Sequence, residues 1–208
     1  MVIIKLMGGL GNQMFKYAAG RRLAYRLKAQ LKLDVHGFEH DPLRKYGLHC
    51  LNIQEVFATT TEISMFFALK KPQNFSNMFS RFLGMTSSYV VIRENLFLSF
   101  SPEVLTATGN IYLDGYWQSE KYFADIAPLI KQEFTITSPL TKKNQEMLDK
   151  IHNTDSIGVH IRRGDYVTNP LTNQIHGTCS REYYIDSINL ISKRVPHPYY
   201  FVFSDDSQ

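Results

Sequence analysis

Two adjacent arginines, Arg162 and Arg163, directly follow an apolar segment at 156–161, and Asp165 follows them after one glycine. Side chains alternate along a strand, so His160 and Arg162 share one face. A guanidinium is a planar set of donors that can chelate phosphate oxygens, and a nearby carboxylate can hold it in one rotamer. The segment predicts an anion site; the structural alternative is a surface ion pair worth about 0–1 kcal/mol.

Two carboxylates, Asp205 and Asp206, end a second apolar segment at 199–203. Carboxylates at the end of a strand can bind a metal, ribose hydroxyls or the N–H groups on the edge of a guanine base. Alternation places Ser204 and Asp206 on one face of the strand and Asp205 on the other. The alternative is a helix N-cap with solvated charge.

Three glycines, Gly8, Gly9 and Gly11, separate an apolar segment at 2–7 from a helical pattern. Glycine lets the backbone approach a ligand closely, and N–H groups at the start of a helix can face an anion. The third glycine of a dinucleotide fingerprint would fall at Met14, and no Gly-Lys-Ser/Thr follows, so neither phosphate-loop fingerprint is complete. A tight structural turn is the alternative.

All three segments follow apolar strands, and open α/β sheets bind ligands at the carboxyl ends of their strands. The surrounding chain has 208 residues, of which 44% are hydrophobic and 13% aromatic. This composition excludes a disordered chain. The cysteines Cys50 and Cys179 are too few for a disulfide framework or a four-thiolate zinc site. The seven histidines are scattered, so no metal site is predicted.

The net charge of +4 and the pI of about 9.0 suit a phosphorylated small substrate. The basic residues lack the clustered excess of duplex-binding modules, so no nucleic-acid partner is predicted. No signal peptide or long apolar span stands out in the sequence. We therefore expect a cytoplasmic protein, whose basic pairs suit a peripheral position at the inner face of an anionic membrane.

The hydrophobic pattern predicts an α/β chain that opens as strand, glycine turn, helix and strand, a βαβ unit. Phe15, Ala19, Leu23 and Leu27 are spaced as one helix face. Strands are predicted at 2–7, 30–34, 88–92, 110–113, 156–161 and 199–203, and helices at 62–69, 73–82, 120–133, 140–151 and after the N-cap Ser180. Pro128 can break or restart the helix at 120–133. Pro139 marks the predicted boundary between domains 1–138 and 139–208.

Four segments together resemble glycosyltransferase family 11, which contains bacterial α-1,2-fucosyltransferases. The chain is similar to the family in Gly-Gly-Leu-Gly-Asn-Gln-Met-Phe-x-Tyr-Ala at 8–18 and in Gly-Tyr-Trp-Gln-Ser-Glu-Lys-Tyr-Phe at 115–123. It is also similar in His-x-Arg-Arg-Gly-Asp-Tyr at 160–166 and in Phe-Ser-Asp-Asp at 203–206. The resemblance implies a GT-B fold of two Rossmann-like domains. Members usually continue well past the last segment, so we expect an incomplete C-terminal domain here.

The resemblance also implies inverting, metal-independent transfer of L-fucose from GDP-fucose to the 2-hydroxyl of a galactoside in a surface glycan. The N-terminal domain would take the galactose-containing acceptor and the C-terminal domain the donor, with no other cofactor. By similarity, the catalytic residues are Arg162 at the β-phosphate and Asn12 near the transferred sugar. The implied donor-binding residues also include His160 and Asp206 at the guanine, Arg163 and Asp165 beside the pyrophosphate, and Ser204, Asp205, Gly9 and Gly11.

Other classes of protein remain open from the residues alone. A dinucleotide-dependent oxidoreductase or epimerase is disfavoured by the missing third glycine, although Asp34 could serve as its acidic residue. A nucleotide- or sugar-binding module without catalysis is the alternative that is not an enzyme. Asp165, His176 and Glu182 are candidates for a general base, and the sequence does not choose among them.

Overall fold

The computed structural model describes residues 1–68, 89–95 and 99–206. The chain divides into two compact units, Met1–Ser138 and Pro139–Gln208, and each contains a parallel sheet. The described strands are β1 Val2–Lys5, β2 Leu31–Asp34, β3 Tyr89–Arg93, β4 Asn110–Asp114, β5 Asp155–Ile161 and β6 Pro198–Ser204. The described α-helices are α1 Leu10–Leu27, α2 Thr60–Ala68, α3 Ala127–Glu133, α4 Lys142–His152, α5 Gly164–Thr168, α6 Pro170–His176 and α7 Arg181–Ser192.

A four-stranded parallel sheet forms the N-terminal unit, with strand order β2-β1-β4-β3. The predicted βαβ unit is confirmed, because α1 connects β1 to its parallel neighbour β2. Their register pairs Val2 with Leu31 and Lys5 with Asp34. The carboxyl ends of the strands therefore meet at one edge of the sheet, at Lys5, Asp34, Arg93 and Asp114.

The two faces of this sheet pack against different helices because its side chains alternate. Ile4 belongs to a buried cluster with Leu23 of α1, whereas Ile3 packs with Phe66 of α2. In α1, Gly20 faces β1, and a Cβ at this position would lie 3.0 Å from the Cβ of Ile4. Glycine therefore allows the helix to lie close against the sheet.

The helix predicted at 120–133 is not continuous, and a new helix begins beside Pro128, as the sequence allows. Two short 3-10 turns, Glu120–Tyr122 and Ala124–Ile126, precede α3. Pro128 lies in the first turn of α3, where its missing N–H costs nothing, and a helix running through it would lose a hydrogen bond. At its other end, α3 is joined to α1 by buried Glu133, which accepts hydrogen bonds from Tyr17 Oη at 2.7 Å and Arg21 Nε at 2.9 Å.

The C-terminal unit contains a two-stranded parallel sheet in which β5 pairs with β6 from Asp155 and Pro198 to Ile161 and Ser204. The predicted N-cap Ser180 is confirmed, since its hydroxyl accepts a hydrogen bond from the N–H of Tyr183 at the start of α7. Within the described part of this unit, Phe201 is the one buried large apolar side chain.

For most of the remaining predicted strands and helices, the first and last residues lie within two positions of those in the structure. The helix predicted at 62–69 is α2, which begins two residues earlier, and its residue 69 lies outside the described residues, as does the whole helix predicted at 73–82. None of the helices in the described ranges is long and apolar enough to span a bilayer.

Candidate functional site

The arginine segment and the carboxylate segment meet at the carboxyl edge of the C-terminal sheet. Parallel pairing places Ile161, the last residue of β5, beside Ser204, the last residue of β6. The residues that follow these two therefore leave the same edge, although 42 positions separate Arg163 from Asp205 in the sequence. The sheet register brings both predicted segments into one cluster.

Asp205 is the centre of this cluster. Its Oδ1 accepts hydrogen bonds from the backbone N–H groups of Arg163 at 2.8 Å and Gly164 at 3.1 Å. Its Oδ2 lies 2.9 Å from Nε of Arg162. One carboxylate therefore holds both the backbone of the loop and its first guanidinium.

The same N–H groups hold the pKa of Asp205 below its ordinary value, with a smaller contribution from the charge of Arg162. A carboxyl whose pKa is depressed on folding contributes its stabilising contacts above its unfolded pKa. It loses them only as the pH falls through the lowered value. We therefore expect the contacts of Asp205 to persist at neutral pH and to weaken only in acid.

Arg162 lies between two carboxylates and an aromatic ring. Its Nη2 lies 2.9 Å from Oδ1 of Asp165, and its guanidinium carbon lies 4.9 Å from the centre of the Tyr166 ring. The hydrogen bond to Asp165 raises the pKa of Arg162 above its already high value. About a third of its side chain, 34%, is exposed, which leaves a face of the guanidinium that a ligand can reach.

The two C-terminal carboxylates contact the guanidiniums of different arginines in the loop. Asp205 binds that of Arg162, whereas Nε of Arg163 lies 3.4 Å from Oδ2 of Asp206. The predicted placement of these carboxylates on opposite faces stays a prediction, because β6 ends at Ser204 and alternation holds only within the strand. Charge-assisted N–H···O bonds are normally about 2.7–2.9 Å, so the Arg163–Asp206 contact is the weaker one in the cluster.

Two other residues of this unit, His160 and Ser204, are predicted to bind the sugar-nucleotide donor. They lie beside the cluster without joining it. His160 is exposed on β5 and lies opposite Phe203 in the register. The hydroxyl of Ser204 accepts a hydrogen bond from the N–H of Asp206 at 3.0 Å. Ser204 therefore helps to shape the turn that carries the carboxylates.

An aromatic stack beneath Arg162 is absent from the sequence prediction. The rings of Tyr166 and His176 are parallel within 8° and their centres are 5.0 Å apart. Tyr166 directly follows the Arg-Arg-Gly-Asp segment, and an aromatic residue so close to an arginine was the available signal. Of the candidate bases, Asp165 is paired with Arg162, His176 is stacked, and Glu182 lies in the first turn of α7.

The glycine turn belongs to the N-terminal unit, where it connects β1 to α1. Gly8 has a φ of +80°, and a Cβ there would lie 2.7 Å from Nδ2 of Asn12, so this position requires glycine. Asn12 Oδ1 accepts a hydrogen bond from Nε2 of Gln118 at 2.5 Å. Gly9 and Gly11 face open space, so the room beside them is available to a ligand.

Histidine, cysteine and carboxylate side chains do not gather into a metal-binding group of three or more anywhere in residues 1–68, 89–95 and 99–206. At the edge of the C-terminal sheet, two guanidiniums and three carboxylates meet instead. Open α/β sheets bind ligands at the carboxyl ends of their strands, and guanidiniums match the geometry of phosphate oxygens, so this edge suits a phosphorylated ligand.

The chain belongs to glycosyltransferase family 11. The model of the family described as "Glycosyl transferase family 11" matches residues 1–208. An α-1,2-colitosyltransferase of Escherichia coli is 34% identical over 99% of this chain and 69% of its own length. The O-antigen biosynthesis glycosyltransferase WbnK of the same organism is 31% identical over 97% of this chain and 71% of its own length.

The structure of the α-1,6-fucosyltransferase NodZ, from a crystal soaked with GDP-fucose, is also similar to this chain. It aligns with 100% of this chain and 71% of its own at 16% identity, with a TM-score of 0.46. The predicted family is thus confirmed by the family match, and the protein is a glycosyltransferase of α/β fold with parallel sheets.

Proposed function

We propose that the protein transfers L-fucose from GDP-fucose to the 2-hydroxyl of a galactoside, with inversion at the anomeric carbon. The observation that carries this proposal is the pair of guanidiniums held by Asp165, Asp205 and Asp206 at the edge of the C-terminal sheet. A nucleoside diphosphate leaving group requires positive charge at its β-phosphate, and Arg162 has the exposed face to supply it.

The reaction in this proposal is one displacement. The 2-hydroxyl oxygen of the acceptor forms a bond to C1 of fucose while the bond from C1 to the β-phosphate oxygen breaks. GDP leaves with the electron pair, and the hydroxyl proton passes to a proton acceptor. Because negative charge grows on the leaving oxygen in the transition state, a fixed guanidinium stabilises the transition state more than the bound donor.

The two units have different roles in this proposal, as in a GT-B arrangement. The C-terminal unit binds GDP through the arginine cluster, and the N-terminal unit binds the acceptor and the transferred sugar near Asn12. Asn12 is held by Gln118, so its amide presents a fixed orientation to a sugar hydroxyl. The free space beside Gly9 and Gly11 supports approach of the donor to the turn.

The direct test is to incubate the chain with GDP-fucose and a panel of β-galactosides, and to measure released GDP and the linkage of the product. Fucose attached at the 2-hydroxyl, in the inverted configuration, is the expected result. Tight GDP binding without transfer to any galactoside would instead favour a non-catalytic binding module. Preference for NAD over GDP in equilibrium binding would contradict the proposal and favour a dinucleotide enzyme.

A second donor sugar is favoured by one comparison. Because the α-1,2-colitosyltransferase is 34% identical over nearly the whole chain, colitose is the alternative to fucose in the same reaction. Competition between the two sugars, each supplied as its GDP derivative, separates the candidates. A larger kcat/KM for the colitose donor would replace fucose in the proposal and leave the roles of the arginine cluster unchanged.

Asp206 is the proposed reader of guanine, because it follows the carboxyl end of β6 and a carboxylate can accept two hydrogen bonds from the guanine edge. The Asp206→Asn variant is expected to lower the preference for GDP over ADP by about 10- to 100-fold, the value of a hydrogen bond to a charged group. Titration calorimetry with both nucleotides measures it. Asp186→Asn, on the exposed surface of α7, is the control, and an unchanged preference in Asp206→Asn would contradict the role.

Gly9 tests whether a ligand uses the space beside the glycine turn. The Gly9→Ala variant is expected to fold normally, since Gly9 has a φ of −69° and nothing lies within 4 Å of a Cβ at this position. It is expected to raise the KM for GDP-fucose, because the new methyl group blocks close approach of the donor. Unchanged kinetics in a normally folded variant would remove the turn from the donor site.

A further inference from the structure

Lys16 is a fully buried lysine at the carboxyl edge of the N-terminal sheet. Its exposed fraction is 0%, and it occupies the variable position of the 8–18 segment. Its Nζ donates to the carbonyl oxygen of Gly115 and lies 4.4 Å from the centre of the Tyr116 ring. Burying an ammonium is costly unless it is paired, so these contacts indicate a specific role for it.

Glu94 holds the same loop through two of the loop's backbone N–H groups. Its Oε2 accepts a hydrogen bond from the N–H of Tyr116 at 2.6 Å, and its Oε1 accepts one from the N–H of Trp117 at 3.0 Å. A Cβ at Gly115 would collide with the Cβ of Glu94, so the loop and the glutamate are in tight contact. A buried cation and a carboxylate thus bind three consecutive residues of the loop.

The loop needs this restraint because its backbone is strained. Trp117 has a φ of +55° and is fully buried, and a bulky residue in the left-handed region persists only where its surroundings enforce it. The next residue, Gln118, donates to Asn12 at 2.5 Å. The path from Lys16 and Glu94 to Asn12 is therefore one continuous set of contacts.

We propose that Lys16 and Glu94 are positioning residues that hold the 115–118 loop so that Gln118 orients the Asn12 amide toward a sugar hydroxyl. The naming of a sugar as the ligand rests on the function proposed above. The orientation of the loop itself does not, because Lys16, Glu94 and Gln118 make their contacts with other residues of this chain.

The charge of Lys16 makes the loop sensitive to pH. Burial lowers the pKa of Lys16 to about 8. Asp114 and Glu94 favour its charged form, whereas Lys5 opposes it, and Arg93 faces the cluster through its ion pair with Asp114. Above this pH the ammonium loses its attraction to the two carboxylates and to the Tyr116 ring, so its hold on the loop weakens.

Trp117 is the single tryptophan of the chain, so its emission reports on the loop directly. In the unmodified chain, we expect its emission to change with a midpoint near pH 8. The Lys16→Met variant keeps the length of the side chain and removes the charge, and we expect it to show no such midpoint and a red-shifted emission. Lys131→Met, at an exposed position in the last turn of α3, is the control and is expected to keep the midpoint of the unmodified chain.

Kinetics supply the second measurement. In Lys16→Met and in Glu94→Gln, we expect kcat for fucose transfer to fall by about 10- to 100-fold, as misplacement of a binding group does, while the affinity for GDP is unchanged. An unchanged Trp117 emission and titration in Lys16→Met overturns the positioning role, whatever the activity. If the Trp117 emission shifts in Lys16→Met but the unmodified chain transfers no fucose, the positioning role is supported. That result counts only against the proposed function.

Discussion

Replacing Arg162 with alanine is expected to lower the rate of fucose transfer by about a thousandfold, the loss that follows removal of one preorganised donor to a developing oxyanion. The guanidinium is fixed by Asp165 and Asp205 and by the ring of Tyr166. It is therefore aligned before the donor binds and needs no reorganisation in the transition state. Steady-state transfer from GDP-fucose, with released GDP as the readout, measures the effect.

The Arg162→Lys variant tests whether geometry or charge matters. A lysine keeps the positive charge but lacks the planar fork, so we expect it to recover only a small part of the lost rate. Arg194→Ala removes an exposed arginine of the same unit and is expected to behave like the unmodified chain. Turnover close to normal in a folded Arg162→Ala protein would end the proposed role of the cluster.

Replacing Asp205 with alanine is expected to lower GDP affinity and transfer by about 100-fold, although Asp205 need not touch the substrate. The change leaves two backbone N–H groups and the Nε of Arg162 without their acceptor, and an unfixed guanidinium no longer meets the β-phosphate in one orientation. Asp205→Asn keeps one acceptor oxygen for the N–H groups, so we expect an intermediate loss. Calorimetry with GDP and steady-state kinetics separate binding from turnover.

Gly164 offers an independent test of Asp205, because a Cβ at Gly164 would lie 2.9 Å from its Oδ2. Gly164→Ala is therefore expected to displace the carboxylate and to reproduce much of the Asp205→Ala defect. Gly158→Ala is the matched control, since nothing lies within 4 Å of a Cβ at Gly158 in β5. If Gly164→Ala and Gly158→Ala have the same GDP affinity, Asp205 does not position the loop.

Local structure was largely predictable from the sequence, because the spacing of apolar residues along a strand or a helix involves only neighbouring residues. The apolar segments predicted β1, β2, β5 and β6 to within two residues. The Ser180 cap follows the same local logic, since a short polar side chain can satisfy an N–H of the next turn. Pro128 was recognised as a point where the helix at 120–133 could restart, and a new helix begins beside it.

The family was predictable from the sequence for a related reason. The segments at 8–18, 115–123, 160–166 and 203–206 are continuous in the chain, and each stands directly beside a predicted strand or helix. The match over residues 1–208 confirms the family, and the types of residue in these segments already indicated an anion site at strand ends.

The sequence by itself determined the elements, the family and the residues at strand ends. Which of those residues touch was decided by the tertiary structure. Asp205 meets Arg163 across 42 positions, and Lys16 meets Gly115 across 99. The first contact depends on the register of two parallel strands and on β6 ending at Ser204, and the second depends on α1 packing against one face of the sheet. Periodicity describes only the nearest turns of the chain, so neither contact was visible before the chain was folded.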